Sequence, residues 1–143
     1  MQRKASAVWK GGLKDGKGTI SSASGILSNT PYSFTTRFEN APGTNPEELI
    51  AAAHAGCFTM ALSFTLNNAG FTATAIDTEA RLTMDTVDNK PTITAVHLTT
   101  RAQVPDISAA QFAEIASNAK AGCVVSRALA PSITITMDAS LSS

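Results

Sequence analysis

The stretch TNPEELIAAAHAGCFTMALSFTL, residues 44–66, decides how the rest of the chain is read. It carries the marks of a helix start. Asn45 is a candidate N-cap, Pro46 suits the first helical position, and Glu47 and Glu48 favour the positive end of the helix dipole. The periodic residues run on to about Asn68 and stop before Gly70, a suitable residue just past a helix end. At ~1.5 Å per residue such a helix is about 35 Å long. Alanines at 51, 52, 53, 55 and 61, together with Gly56, leave much of its surface smooth, so it is expected to pack against close neighbours. In the middle lies Cys57, one of only two cysteines in the 143-residue chain.

Composition bounds what the chain does. It is 43% hydrophobic and 15% charged, with eleven basic residues against eleven acidic ones. That is a globular composition at single-domain length, so residues 1–143 are read as one domain. No run of Lys and Arg offers a nucleic-acid footprint, and no basic cluster addresses an anionic membrane. The N-terminal MQRKASAVWKGG has no apolar signal core. The greasiest window is interrupted by His54, Ser63 and Asn67, which argues against a membrane span. A cytoplasmic location is expected, and there two cysteines rarely form a permanent structural bridge.

The flanking segments fill in the fold. ASAVWK and GKGTISS read as short strands joined by a glycine- and lysine-rich turn. PYSFTTRF alternates Tyr32, Phe34, Thr36 and Phe38 against Ser33, Thr35 and Arg37, the pattern of a half-buried strand. Two long alternating runs, ATAIDTEARLTMDTVD and KPTITAVHLTTRAQV, flank DNKP as a hairpin. PDISAAQFAEIASNAKAG predicts a second helix capped by Asp106 or Ser108, CVVSRALA a short helical piece, and SITITMDA a last strand. The order gives an α+β fold with largely antiparallel pairing and no βαβ repeat.

On the first helix, positions 47, 50, 54 and 57 share a face, so Glu47, His54 and Cys57 project together. Taken alone, that face fits a small core thiol and a satisfied buried imidazole better than it fits chemistry. The other cysteine, Cys123, lies at a join between helical pieces, where open amides and the dipole stabilise a thiolate. Two cysteines on helical elements suggest a redox couple, although 66 positions of separation do not establish that they meet. A zinc site has the right ligand count but no Cys-x-x-Cys spacing, and His97 falls in a strand as a sheet-surface residue. A Cys57–His54 hydrolase lacks an orienting group and an oxyanion hole.

With TRFENAPGTNPEELIAAAHAGCFTMALS and AKAGCVVS in view, the chain resembles the OsmC/Ohr family of osmotically inducible and organic hydroperoxide resistance proteins, and the OsmC branch most. The resemblance extends to GKGTISSASGIL and PYSFTTRF, so it covers nearly the whole chain. It implies antiparallel sheets wrapped around a long central helix in an intertwined homodimer. It also implies a thiol-dependent peroxidase acting on organic hydroperoxides and, less efficiently, on hydrogen peroxide in stress defence. Cys57 then matches the peroxidatic cysteine, Cys123 the resolving one, Arg37 the arginine that holds the thiolate, and Glu47 the carboxylate that orients that arginine. No cofactor and no metal are implied; the reductant is a dithiol of lipoyl type. His54 fits the branch motif without an assigned role. Val124 stands where related sequences often read proline, which is expected to loosen Cys123 slightly without abolishing resolution.

One consequence follows from helix geometry. Glu47 and Cys57 are ten residues apart, so about 15 Å along the axis. One Arg37 hardly reaches both on a single helix, whereas two antiparallel copies bring Glu47 of one towards Cys57 of the other. Phe38, Phe58, Met60, Phe64 and Phe112 are candidates for an apolar peroxide pocket, with ordinary core the better expectation for at least three. Two rivals remain: a non-enzymatic, stress-induced binding protein on the same scaffold, and a general thiol–disulfide oxidoreductase, which usually carries Cys-x-x-Cys near a βαβ pattern.

Overall fold

The computed structural model describes residues 1–142. The chain divides into two compact units, Met1–Leu49 and Ile50–Ser143. The first holds β1 (Ala5–Lys10), β2 (Lys17–Ser22), β3 (Thr30–Tyr32), α1 (Phe34–Phe38) and the first turn of α2 (Pro46–Asn68). Its three strands pair antiparallel in the order β1-β2-β3. Gly18 lies between Trp9 and Tyr32 in register, and a Cβ there would collide with both rings, which sit 5.6 Å apart. This unit has little core: β1 is exposed along its whole length.

The strand expected over PYSFTTRF ends after Tyr32, and Phe34–Phe38 is a helix instead. A capping box explains the switch. Ser33 Oγ accepts from the Thr36 amide at 3.3 Å, while the Ser33 amide donates to Thr36 Oγ1 at 2.8 Å. Once the turn is closed, Phe34 and Phe38 meet at i, i+4 with ring centroids 5.0 Å apart. The aromatic alternation that suggested a strand is thus spent on a helix, and Arg37 sits in its last turn.

The second unit contains the rest of α2 with β4 (Ala75–Val87), β5 (Lys90–Gln103), α3 (Ala109–Gly122), α4 (Val124–Leu129) and β6 (Thr134–Leu141). Helix α2 begins as expected, with Asn45 Oδ1 accepting from the Glu48 amide at 2.8 Å. It ends at a left-handed Gly70, φ 89°, beside a bond from the Phe71 amide to the Leu66 carbonyl. Asp88 and Asn89 both take positive φ, which closes the β4–β5 hairpin with a two-residue turn. Ser108, not Asp106, caps α3, in a second capping box with Gln111. Strand β6 returns through α3 and α4 to pair parallel with β5, giving the order β4-β5-β6. Among the described residues, that one parallel crossover stands beside otherwise antiparallel pairing.

The core of this unit joins one stripe of α2 (Phe58, Leu62, Leu66) to Val96, Leu98 and Ala102 of β5 and to Phe112, Ala116 and Ala119 of α3. Residues 54, 58, 62 and 66 are the buried positions of α2, a four-residue spacing that follows one side of a helix. By length and composition α2 is apolar enough to cross a membrane, but this stripe is packed inside the protein. Among the pocket candidates, Phe58 and Phe112 are core, while Met60 and Phe64 face outward and are largely exposed. Truncating the centre of the stripe, Leu62→Ala, should cost about 3 kcal/mol of stability through lost transfer energy and a residual cavity. Urea unfolding would read this as a lowered midpoint at unchanged slope.

Candidate active site

Cys57 lies mid-helix on α2, partly buried, and Cys123 is the N-cap of α4, almost fully buried. Both are free thiols, and their Sγ atoms are in hydrogen-bonding contact at 3.1 Å. One turn away, His54 Nε2 lies 2.8 Å from Ser126 Oγ, and both residues are buried. His54 precedes Cys57 by three residues on α2, and Ser126 follows Cys123 by three on α4. The two contacts therefore form consecutive rungs between segments that run in opposite directions.

The electrostatics of the pair are unequal. Burial is the largest influence on Cys57 and pushes its thiol up; the hydrogen bond with Cys123 adds to this, and the Val125 and Val124 amides only partly oppose it. Burial also pushes Cys123 up, but is outweighed by the Ser126 amide, the bond with Cys57, the Ser126 hydroxyl and the Val125 amide, so this thiol is lowered overall. No side-chain bond caps α4 in the strict sense. The open amides of its first turn act on the sulfur through their dipoles and weaker contacts. The Val124 amide, at the first helical position, helps to hold the Cys57 thiol down, an influence that proline there would remove.

The other expected site residues, Arg37 and Glu47, meet in the first unit. Arg37 Nε and Nη2 both reach Glu47 Oε1, at 2.9 and 2.8 Å, and the guanidinium lies over Phe38 at 5.1 Å. Glu47 Oε2 is buried and has no partner among the described residues. A cleft of about 260 Å³ beside Arg37 is lined by Trp9, Leu13, Tyr32, Phe34 and Phe38. His97 is a sheet residue, as expected, with Nδ1 2.6 Å from Thr136 Oγ1 and Nε2 3.1 Å from Asp138 Oδ2. Ser126 was not among the residues marked out by sequence. Its signal was present in the spacing: it stands three residues after Cys123, as His54 stands three before Cys57.

An α+β chain with two thiols in contact, one mid-helix and one at a helix start, belongs to a definable class. The chain is a member of the OsmC-like protein family, whose family model matches residues 38–138. It is 52% identical over 135 residues to Peroxiredoxin OsmC of Escherichia coli (strain K12), covering 94% of each chain. Its fold is similar to that of OhrB, the organic hydroperoxide resistance protein of Bacillus subtilis, with TM-score 0.74 and 22% identity over 95% of this chain and 97% of the other. An OsmC-like protein from Mycoplasma pneumoniae overlays with TM-score 0.78 at 14% identity, covering 100% and 99% of the two chains.

The buried imidazole gives the fold an acid-sensitive group. Burial lowers the His54 pKa below its ordinary 6.5. The unfolded chain therefore binds a proton near that pH that the folded chain does not, and stability should fall as pH drops through about 6.5 and below. Urea midpoints measured between pH 7.5 and pH 5 should decline more steeply for the natural chain than for His54→Gln; parallel declines would refute this.

Proposed function

We propose that the chain is a thiol-dependent peroxidase that reduces organic hydroperoxides, and hydrogen peroxide less efficiently, with Cys57 as nucleophile and Cys123 as resolving thiol. The 3.1 Å contact between the two sulfurs carries this reading. The Cys57 thiolate attacks the outer oxygen of ROOH, the O–O bond breaks, and ROH leaves with a proton, so that Cys57 becomes a sulfenic acid. Cys123 then displaces hydroxide from that sulfur, forming a disulfide and water. A dithiol reductant, of lipoyl type, restores both thiols by exchange. The 52% identity to a peroxiredoxin supports the same chemistry.

Cys57 on its own is held protonated by burial, so it needs a cation. Arg37 is the proposed source. It is permanently charged, steadied by Glu47, and able to stabilise both the thiolate and the departing alkoxide. The aromatic cleft beside Arg37 suits the hydrocarbon tail of an organic peroxide. The Arg37–Glu47 pair is taken to come from a second copy of the chain in an intertwined homodimer. Three features support that assembly: β1, exposed at every residue, the outward Met60 and Phe64 of α2, and Glu47 Oε2, unpartnered among the described residues. In this reading residues 1–143 act as a single cytoplasmic domain.

The decisive assay is cumene hydroperoxide consumption with dihydrolipoamide. Cys57→Ser should abolish turnover, and Cys123→Ser should stall after one equivalent; turnover that survives Cys57→Ser overturns the assignment. Sedimentation should give a dimer. Mixing the two inactive variants Arg37→Met and Cys57→Ser should restore activity, because mixed dimers contain one intact site. A fully active monomer would sink the shared-site proposal.

A further inference from the structure

His54 is buried with a relative exposure of 0%, yet its Nδ1 has no hydrogen-bond partner among the described residues. Its other nitrogen, Nε2, is 2.8 Å from Ser126 Oγ. The proton's position follows from that asymmetry. A hydrogen on Nδ1 would bury an N–H donor with nothing to accept it, whereas a hydrogen on Nε2 leaves only an acceptor lone pair unmet, the milder penalty. The neutral imidazole therefore donates from Nε2 to Ser126 Oγ. The Ser126 hydroxyl, in a residue only 3% exposed, must direct its own hydrogen elsewhere. Cys123 lies one helical turn back as the N-cap of α4, and both the amide and the hydroxyl of Ser126 hold its thiol down.

We propose that His54 and Ser126 form a one-way hydrogen-bond chain, His54 Nε2–H to Ser126 Oγ–H to Cys123 Sγ, that readies Cys123 for the resolving step. In this chain Ser126 acts on the reacting sulfur through its hydroxyl, and His54 is the positioning residue that fixes that hydroxyl. In that step the Cys123 thiolate attacks Sγ of the Cys57 sulfenic acid. The S–S bond forms, the S–O bond breaks, and the leaving hydroxide takes up a proton to become water. Cys123 is oxidised as the sulfenic sulfur is reduced, so no further reactant is needed. The hydroxyl aimed at Cys123 keeps it as the anion that attacks. A proton chain in the other sense, towards His54, would place a cation in the core beside an unpartnered Nδ1, which burial opposes.

The other charged groups near this corner are constant. Cys57 faces Cys123 from α2. Lys120 of α3 donates to the Ile135 carbonyl at 3.3 Å and, with Arg127 of α4, borders a cleft of about 290 Å³ that includes Ser126. Both cations stay in place in every variant compared below.

The proposal rests on the two-cysteine reading, so its first test uses no peroxide. In a Cys57→Ser background Cys123 is the sole cysteine, and its ionisation is followed by ultraviolet thiolate absorbance against pH. Ser126→Ala should raise the midpoint by about one pH unit, a tenfold shift in the thiolate equilibrium, as expected for losing one hydrogen bond to a charged group. His54→Leu should do the same, and His54→Gln, which keeps an N–H at the Nε2 position, should leave the midpoint near that of the parent. In the two-cysteine chain treated with one equivalent of peroxide, Ser126→Ala should slow disulfide formation about tenfold near neutral pH and recover in alkali. An unmoved midpoint in Ser126→Ala, or equal slowing of Ser126→Ala and His54→Gln at every pH, would overturn the proposal and leave the pair a structural pin. Failure of peroxide consumption with the midpoint shifts intact would instead count against the peroxidase reading.

Discussion

A cysteine in the middle of a long helix cannot move to meet a partner. Its backbone is fixed by hydrogen bonds on both sides, and Cys57 has only a side-chain rotation to spend. Whatever reacts with it must be delivered to it. The chain does this with the end of a segment: Cys123 is the N-cap of α4, where φ −56° is helical and ψ 129° is not. Such a residue projects its side chain beyond the helix it starts. Its position is set by the parallel β5–β6 pairing, since α3 and α4 form the crossover that this pairing requires. The 3.1 Å sulfur contact thus depends on a sheet register as well as on two helices.

The same corner explains why the two thiols differ. Both are desolvated, and desolvation alone would keep both protonated. What separates them is access to open amides. The first turn of α4 has N–H groups with no helical acceptor, and Cys123 is covalently placed among them. Cys57 is eased by two of them, those of Val125 and Val124, from the neighbouring helix. A single α4 terminus therefore serves both sulfurs and favours the one it carries. The proposed Arg37 contribution follows from that imbalance: the proposed nucleophile, Cys57, is the thiol that the local fold leaves less activated.

Much of this was legible in sequence because the signals are local. Asn45, Pro46 and Gly70 bound α2 to within a residue, and Asp88–Asn89 supply the left-handed pair that a tight hairpin needs. The short helix at Arg37 was not legible for the opposite reason. Tyr32, Phe34, Thr36 and Phe38 satisfy a strand period, and the Ser33–Thr36 capping box that overrides it looks like ordinary turn polarity until its geometry is seen. The parallel placing of β6 was hidden too, since alternation in β6 is the same for either direction of pairing. Ser126 was missed because its partner lies 72 residues away, and its matching three-residue step from Cys123 has meaning only once the two segments are seen side by side.

The His54–Ser126 rung is also where the core is least well served by its own composition. A buried imidazole with one unmatched nitrogen is a poorer core residue than a leucine of similar size, and its neighbours Phe58 and Leu62 on the same stripe are ideal ones. Stability alone would favour an apolar residue at position 54. A chain that keeps a polar pair there, one helical turn from its only two cysteines, has departed from good packing at the place where its chemistry is concentrated. The departure is limited to a neutral donor and a hydroxyl, so no charge is buried until a thiol ionises. At that moment the dipoles already point at the sulfur, and little reorganisation is needed to hold the charge.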